Sequence, residues 1–148
     1  MDKKTIVEQL PYSSPFLFVD ELLKIDHKSA EGLYTFPRDS FFYQGHFKNN
    51  PVTPGVILTE CMAQIGVVCL GIFLLQDQEN ETKEIELALS SSEIDFYLPV
   101  FPGETVKVVS EKLFFRFNKL KCEVRMYDKT EKLICRGKIA GMIKNKSI

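Results

Sequence analysis

The chain has no tryptophan, only two histidines, and no cysteines spaced as CxxC. Neither His27 nor His46 has a cysteine at ligand spacing, which argues against a zinc site, and no metal is expected. The four cysteines, Cys61, Cys69, Cys122 and Cys135, lie in apolar stretches. Reduced, buried thiols in a cytoplasmic protein are the expectation there. Seven prolines and eight glycines in 148 residues are too few for a disordered or collagen-like chain. No apolar segment follows Lys3 and Lys4, so a secretory signal is not expected. The longest apolar run, Cys61 to Leu75, is 15 residues and contains Gln64. A membrane span needs roughly 20 mostly apolar residues. The wider window Val56 to Leu75 includes Thr59, Glu60 and Gln64, which favours a core helix over a span.

The absence with the most chemical content is that of cations. No Lys or Arg lies between Lys48 and Lys83. Glu60 therefore sits in an apolar stretch with no local partner. An unpaired buried carboxylate is costly, and the usual escape is a raised pKa and a retained proton. An acid kept protonated near neutrality is suited to general acid catalysis. His46 lies just upstream, in the segment Gly45-His46-Phe47.

What is present fits one domain spanning 1–148, large enough for a real core. The net charge of −1 hides an asymmetry: residues 111–148 hold 11 Lys and Arg against 4 Asp and Glu. A solvated strand face is the plainer reading of these cations, and a docking patch for an acidic partner the sharper one. A pI near 6.1 and the lack of a recognition motif argue against nucleic acid.

Along the chain, Thr5 to Leu10 reads as a short helix stopped at Pro11. Phe16 to Ile25 and Ala30 to Phe36 read as strands, and Pro37 to Pro54 as a long irregular loop. Pro54-Gly55 opens a helix running to about Gln78. Strands follow at Ile85 to Phe96, Glu104 to Phe117, Lys121 to Tyr127 and Leu133 to Ile143. The last four read as an antiparallel meander. A helix that is apolar nearly all round must be enclosed. The expected architecture is therefore α+β of the hotdog type: a curved antiparallel sheet wrapped around one long central helix.

Several spaced elements now agree. Gly45-His46-Phe47, Pro51-x-x-Pro54-Gly55 and Glu60-x-Met62-Ala63-Gln64 resemble the (3R)-hydroxyacyl-[acyl-carrier-protein] dehydratase family. The opening Leu10-Pro11-x-x-x-Pro15-Phe16-Leu17-x-Val19-Asp20 and the later Phe96-x-x-Pro99-Val100-x-Pro102-Gly103-Glu104 are similar to that family too. The resemblance covers roughly residues 10–143. It implies a hotdog fold, a homodimer or dimer-based oligomer, and removal of water from a 3-hydroxyacyl thioester carried on acyl carrier protein. It matches His46 and Glu60 to the catalytic pair and Gly55 to the glycine whose N–H binds the thioester carbonyl. It places the site at the dimer interface, with His from one subunit facing the acid of the other. Phosphopantetheine belongs to the carrier, so no dissociable cofactor is implied. Tyr12-Ser13 stands where the family often has His-Arg, Thr53 where Met is common, and Asp95 to Leu98 lacks the usual basic residues.

The residues themselves leave alternatives open. His46 is either a general base near its ordinary pKa of roughly 6.5 or a loop histidine satisfying a carbonyl. Glu60 is either an acid or the partner of a distant cation. Gly55 is either an oxyanion donor at a helix start or a plain N-terminus. Gln64, four residues after Glu60, can hydrogen-bond that carboxyl. Phe41, Phe42, Phe47, Phe96 and Tyr97 are candidates for an acyl tunnel or for ordinary core, and His27 is expected to be exposed and inert. The competing activities are acyl-thioester hydrolysis, a dehydratase that also isomerises the double bond, and a non-catalytic acyl-binding subunit.

Overall fold

Alternation in the sequence becomes a sheet with one buried face. In β5 (Lys119–Tyr127) Leu120, Cys122, Val124 and Met126 are buried, while the residues between them are half-exposed. β4 (Thr105–Arg116) does the same with Val106, Val108 and Ser110. In a computed structural model, which describes residues 2–78 and 84–145, these strands join β1 (Glu21–Ile25), β2 (Ser29–Thr35), β3 (Ile85–Phe96) and β6 (Leu133–Asn145). All pairings are antiparallel, in the order β1-β2-β4-β5-β6-β3. α1 (Lys3–Glu8) starts two residues earlier than its sequence pattern suggests, because the Asp2 carboxylate accepts the Thr5 N–H at 2.8 Å. With the sheet and the central helix it encloses, this is the hotdog α+β fold.

Two expectations need correction. The last four strands do not form a simple meander. β3 pairs with β6, from Ile85↔Asn145 to Phe96↔Cys135, and β4 pairs instead with β2. The central helix carries the chain across the sheet, so β3 enters at the edge opposite β2. The β3–β4 connection then returns beside the loop that precedes the helix, where Gly103 N–H donates to Phe36 O at 2.7 Å and Thr53 N–H to Val100 O at 2.8 Å. Nor is Phe16 to Asp20 strand. Its backbone bonds to the central helix: Phe18 N–H donates to Gln64 Oε1 at 2.8 Å and Phe16 O accepts from Gln64 Nε2 at 3.0 Å.

The central helix has three parts: α2 (Gly55–Ala63), a π-helical segment (Gln64–Val68) and α3 (Cys69–Gln78). By length and composition the stretch Gly55–Gln76 could cross a membrane, yet 78% of its most apolar window is buried inside the fold. At the π segment helix and sheet are closely packed. A Cβ on Gly66 would lie 3.0 Å from Ser110 Cβ and 3.1 Å from Val124 Cγ1, so a side chain there would press the helix against the sheet. Ser110, wholly buried, donates its hydroxyl to Gly66 O at 2.9 Å. That bond satisfies a carbonyl at the point where the helical ladder changes register.

Among the described residues, two of the C-terminal cations lie beside carboxylates. Arg125 pairs with Glu123 at 2.6 Å, and Lys144 meets Glu86 at 3.7 Å. His27 is exposed, with its ring edge-on to Phe73 at 5.1 Å between centroids. All four cysteines are free and buried.

Candidate active site

The loop before the helix holds His46 by its backbone. Val52 N–H donates to His46 O at 2.8 Å, and Phe47 and Asn50 exchange N–H···O bonds of 3.0 and 3.2 Å. His46 Nδ1 lies 2.8 Å from Val52 O. A carbonyl can only accept, so Nδ1 carries the hydrogen, and in the neutral ring Nε2 holds the free lone pair. The Phe47 ring stacks on the imidazole at 4.0 Å.

Two further bonds fix the helix start. Tyr43 Oη and Thr53 Oγ1 are 2.6 Å apart in a buried contact, and burial raises the Tyr43 pKa. Pro54 then caps the helix in an extended conformation. Its carbonyl accepts from Ile57 N–H at 2.9 Å and Leu58 N–H at 3.1 Å. The N–H groups of Gly55 and Val56 have no acceptor among the described residues, as the first turn of a helix dictates. The Phe96 ring covers Gly55 so closely that a Cβ there would sit 3.2 Å from its Cζ. Such a start offers donors and partial positive charge to an anion or a polarised carbonyl.

One and a half turns further on, Glu60 is half-buried rather than enclosed. One carboxyl oxygen accepts from Gln64 Nε2 at 3.1 Å. Gln64 is wholly buried and spends its amide on Glu60, Phe16 and Phe18. It therefore orients the carboxyl and ties the N-terminal segment to the helix at once. No cation pairs with Glu60 among the described residues.

Glu60 opens into a cavity of about 260 Å³ lined by Tyr12, Ala63, Val67, Val68, Leu87, Ala88, Leu89, Gly141, Met142 and Ile143. Its walls come from the helix, β3, β6 and, at Tyr12, the N-terminal segment. Glu60 and Tyr12 supply the only polar side chains in that lining. The Tyr12 phenol is held above its ordinary pKa, first by burial and then by the charges of Glu60 and Cys69.

The structure thus places the expected residues in two groups. Glu60 and Gln64 are bonded to each other, and Gly55 begins the same helix. His46 does not line the Glu60 cavity, and no contact joins the two among the described residues. Nor do Phe42, Phe47, Phe96 and Tyr97 line it. Phe42 packs in an aromatic cluster with Phe36 and Tyr43, Phe47 covers His46, Phe96 covers Gly55, and Tyr97 is half-exposed. Sequence reasoning missed Tyr12, Leu87, Leu89 and Met142 as cavity residues. The signal available for Tyr12 was its occupation of a position where His is common. No group of three or more metal-ligating side chains occurs among the described residues.

Comparison with known proteins supplies an independent reading. The family model for the FabA-like domain matches residues 10–141. A 3-hydroxyacyl-[acyl-carrier-protein] dehydratase FabZ of Geotalea uraniireducens is 34% identical over 117 residues, covering 78% of this chain and 79% of that protein. The protein of the same name from Caldicellulosiruptor saccharolyticus is 32% identical over 144 residues, covering 97% of this chain and 99% of its own. Among solved structures, the dehydratase heterocomplex ApeI:P from Xenorhabdus doucetiae superposes with a TM-score of 0.79 at 15% identity, covering 95% of this chain and 91% of that one.

Proposed function

The chain belongs to the FabA-like family of 3-hydroxyacyl-[acyl-carrier-protein] dehydratases, and from that premise we propose the reaction and the role of each residue. It dehydrates (3R)-3-hydroxyacyl thioesters on acyl carrier protein to trans-2-enoyl thioesters, in fatty acid or related lipid synthesis. The observation that carries the residue roles is the fixed tautomer of His46, whose Nδ1–H is committed to Val52 O. Nε2 takes the α-proton. The Gly55 N–H, at the positive end of the helix, holds the developing enolate oxygen. The Cβ–O bond then breaks, and protonated Glu60 gives its proton to the departing hydroxyl, which leaves as water. Gln64 keeps the Glu60 carboxyl aimed. The proton on His46 returns to Glu60 before the next turnover, so atoms and charge balance without a dissociable cofactor or metal. The phosphopantetheine arm comes with the carrier.

A homodimer completes this site. β3 ends the sheet with one side of its backbone unpaired, and its 12 residues are largely exposed. Leu89 and Met142, both in the cavity wall, are 54% and 42% exposed. A second copy laid along this edge covers that apolar surface and brings its own His46 toward Glu60. The separation of His46 from the Glu60 cavity within one chain supports a composite site. Four reduced, buried thiols and the relatives' role support a cytoplasmic setting, with the whole of 1–148 as one catalytic domain.

The test is elimination of water from 3-hydroxyacyl carrier protein. His46→Ala and Glu60→Gln should each lower kcat by about 10²- to 10⁴-fold with unchanged thermal unfolding. Near-wild-type turnover by either variant refutes the assignment, and release of free thiol in place of enoyl thioester favours a hydrolase.

A further inference from the structure

The cavity at Glu60 has an unusual wall. Of its lining residues, nine are apolar or glycine and two end in polar groups, Glu60 and Tyr12. Gln64 occupies one Glu60 oxygen. The Tyr12 hydroxyl has no hydrogen-bond partner among the described residues, although the ring packs against the core. Tyr12 is also placed along the helix beyond Glu60. It shares the cavity with Val67 and Val68.

This direction has a chemical meaning, and it rests on the dehydratase reading. The 3-hydroxyl belongs at Glu60, which opens into this cavity. Carbons beyond C3 that enter the cavity lie against Ala63, Val67 and Val68, and so against Tyr12, which lines it with them. A saturated chain filling that space displaces water from the phenol and offers it no acceptor. Leaving a buried hydroxyl unpaired is costly. An oxygen on the chain at that depth removes the cost.

We propose that Tyr12 is a specificity-determining residue, and that the acyl pocket selects 3-hydroxyacyl chains carrying a hydroxyl or carbonyl oxygen beyond C3. Sites built to hydrogen-bond a substrate oxygen reject analogues that lack it, because the site's own polar group is then stranded. The expected discrimination here is about 10- to 100-fold in kcat/KM.

The experiment is a ladder of carrier-bound 3-hydroxyacyl chains of equal length. Each places one hydroxyl or keto oxygen at a successive carbon beyond C3, with the saturated chain as reference. On the unaltered protein, one position should exceed the saturated chain by about tenfold or more in kcat/KM. Tyr12→Phe, which keeps the ring and its packing, should bring that ratio to about one. A flat ladder on the unaltered protein, with turnover present, overturns this inference and leaves the dehydratase reading standing. A preference that persists in Tyr12→Phe overturns it as well. No turnover on any rung overturns both together.

Discussion

Replacing Gln64 with Leu tests how the helix, the N-terminal segment and the acid are joined. Gln64 is wholly buried and makes three bonds: from Phe18 N–H at 2.8 Å, to Phe16 O at 3.0 Å and to Glu60 at 3.1 Å. Phe18 is 1% exposed, so its N–H, once deserted, has no water to turn to. That strands one donor, at about 1–3 kcal/mol. Phe16 is 42% exposed, and its carbonyl can find solvent, so its loss costs less. Leu is more apolar than Gln and returns part of the difference. The net expectation is a loss of about 2 kcal/mol. For a chain of this size that is about 4–8 °C in Tm. Urea unfolding should show a lower midpoint with an unchanged m-value, since the same surface is exposed on unfolding. The Phe18 amide should exchange with deuterium much faster than its neighbours in the core. Turnover should fall too, because Glu60 loses the group that aims it. A midpoint change equivalent to less than about 0.5 kcal/mol, within the range of an ordinary surface substitution, refutes the reasoning.

Three other outcomes follow from the packing. Burial pushes the thiols of Cys69 and Cys135 up to about 12 and that of Cys122 to about 11, against an ordinary 9.0. Unfolded thiols ionise first, so their contribution is intact below pH 9 and is lost as pH rises toward the folded values. The loss is about 1.4 kcal/mol per pH unit for each thiol, and a denaturation series from pH 8 to pH 11 that stays flat contradicts it. Gly66→Ala forces a methyl between helix and sheet at Ser110 and Val124 and should destabilise by about 1–3 kcal/mol in chemical unfolding. Phe117, 89% exposed, sits at φ 50 beside Asn118 at φ 62, a hairpin tip suited to Asn or Gly. Phe117→Asn should therefore raise Tm, by up to about 1 kcal/mol of stability, and a fall would count against the turn assignment.

The central helix was legible because its apolar run is too long and too evenly apolar for anything but an enclosed element. The π segment was not, since a one-residue surplus leaves no trace in a stretch where all but Gln64 are apolar or glycine. Strand positions were legible from alternation, as in Cys122, Val124 and Met126, but strand order was not. Alternation says which face is buried and nothing of which edge a strand joins, so β3 was placed beside β4. Phe16 to Asp20 misled for a related reason. Its apolar residues are buried as a strand's would be, but a side-chain amide 46 residues away from Phe18 supplies its backbone partner. The lack of cations around Glu60 was legible and holds in three dimensions among the described residues. Its burial was overstated, because the acid opens into a cavity instead of being packed over.

The π segment also sets the phase of the helix. An α-helix advances about 100° per residue, so one residue of surplus between Gln64 and Val68 rotates everything after it by roughly that angle. Glu60 and Gln64 are indexed to one half of the helix, and Gly71 against Ile143 to the other. Removing one residue there re-indexes the second half against the first while leaving composition untouched. Which side chains share the cavity with the acid is therefore governed by residue count as well as residue identity. In a chain like this one, a single-residue deletion is a change of pocket.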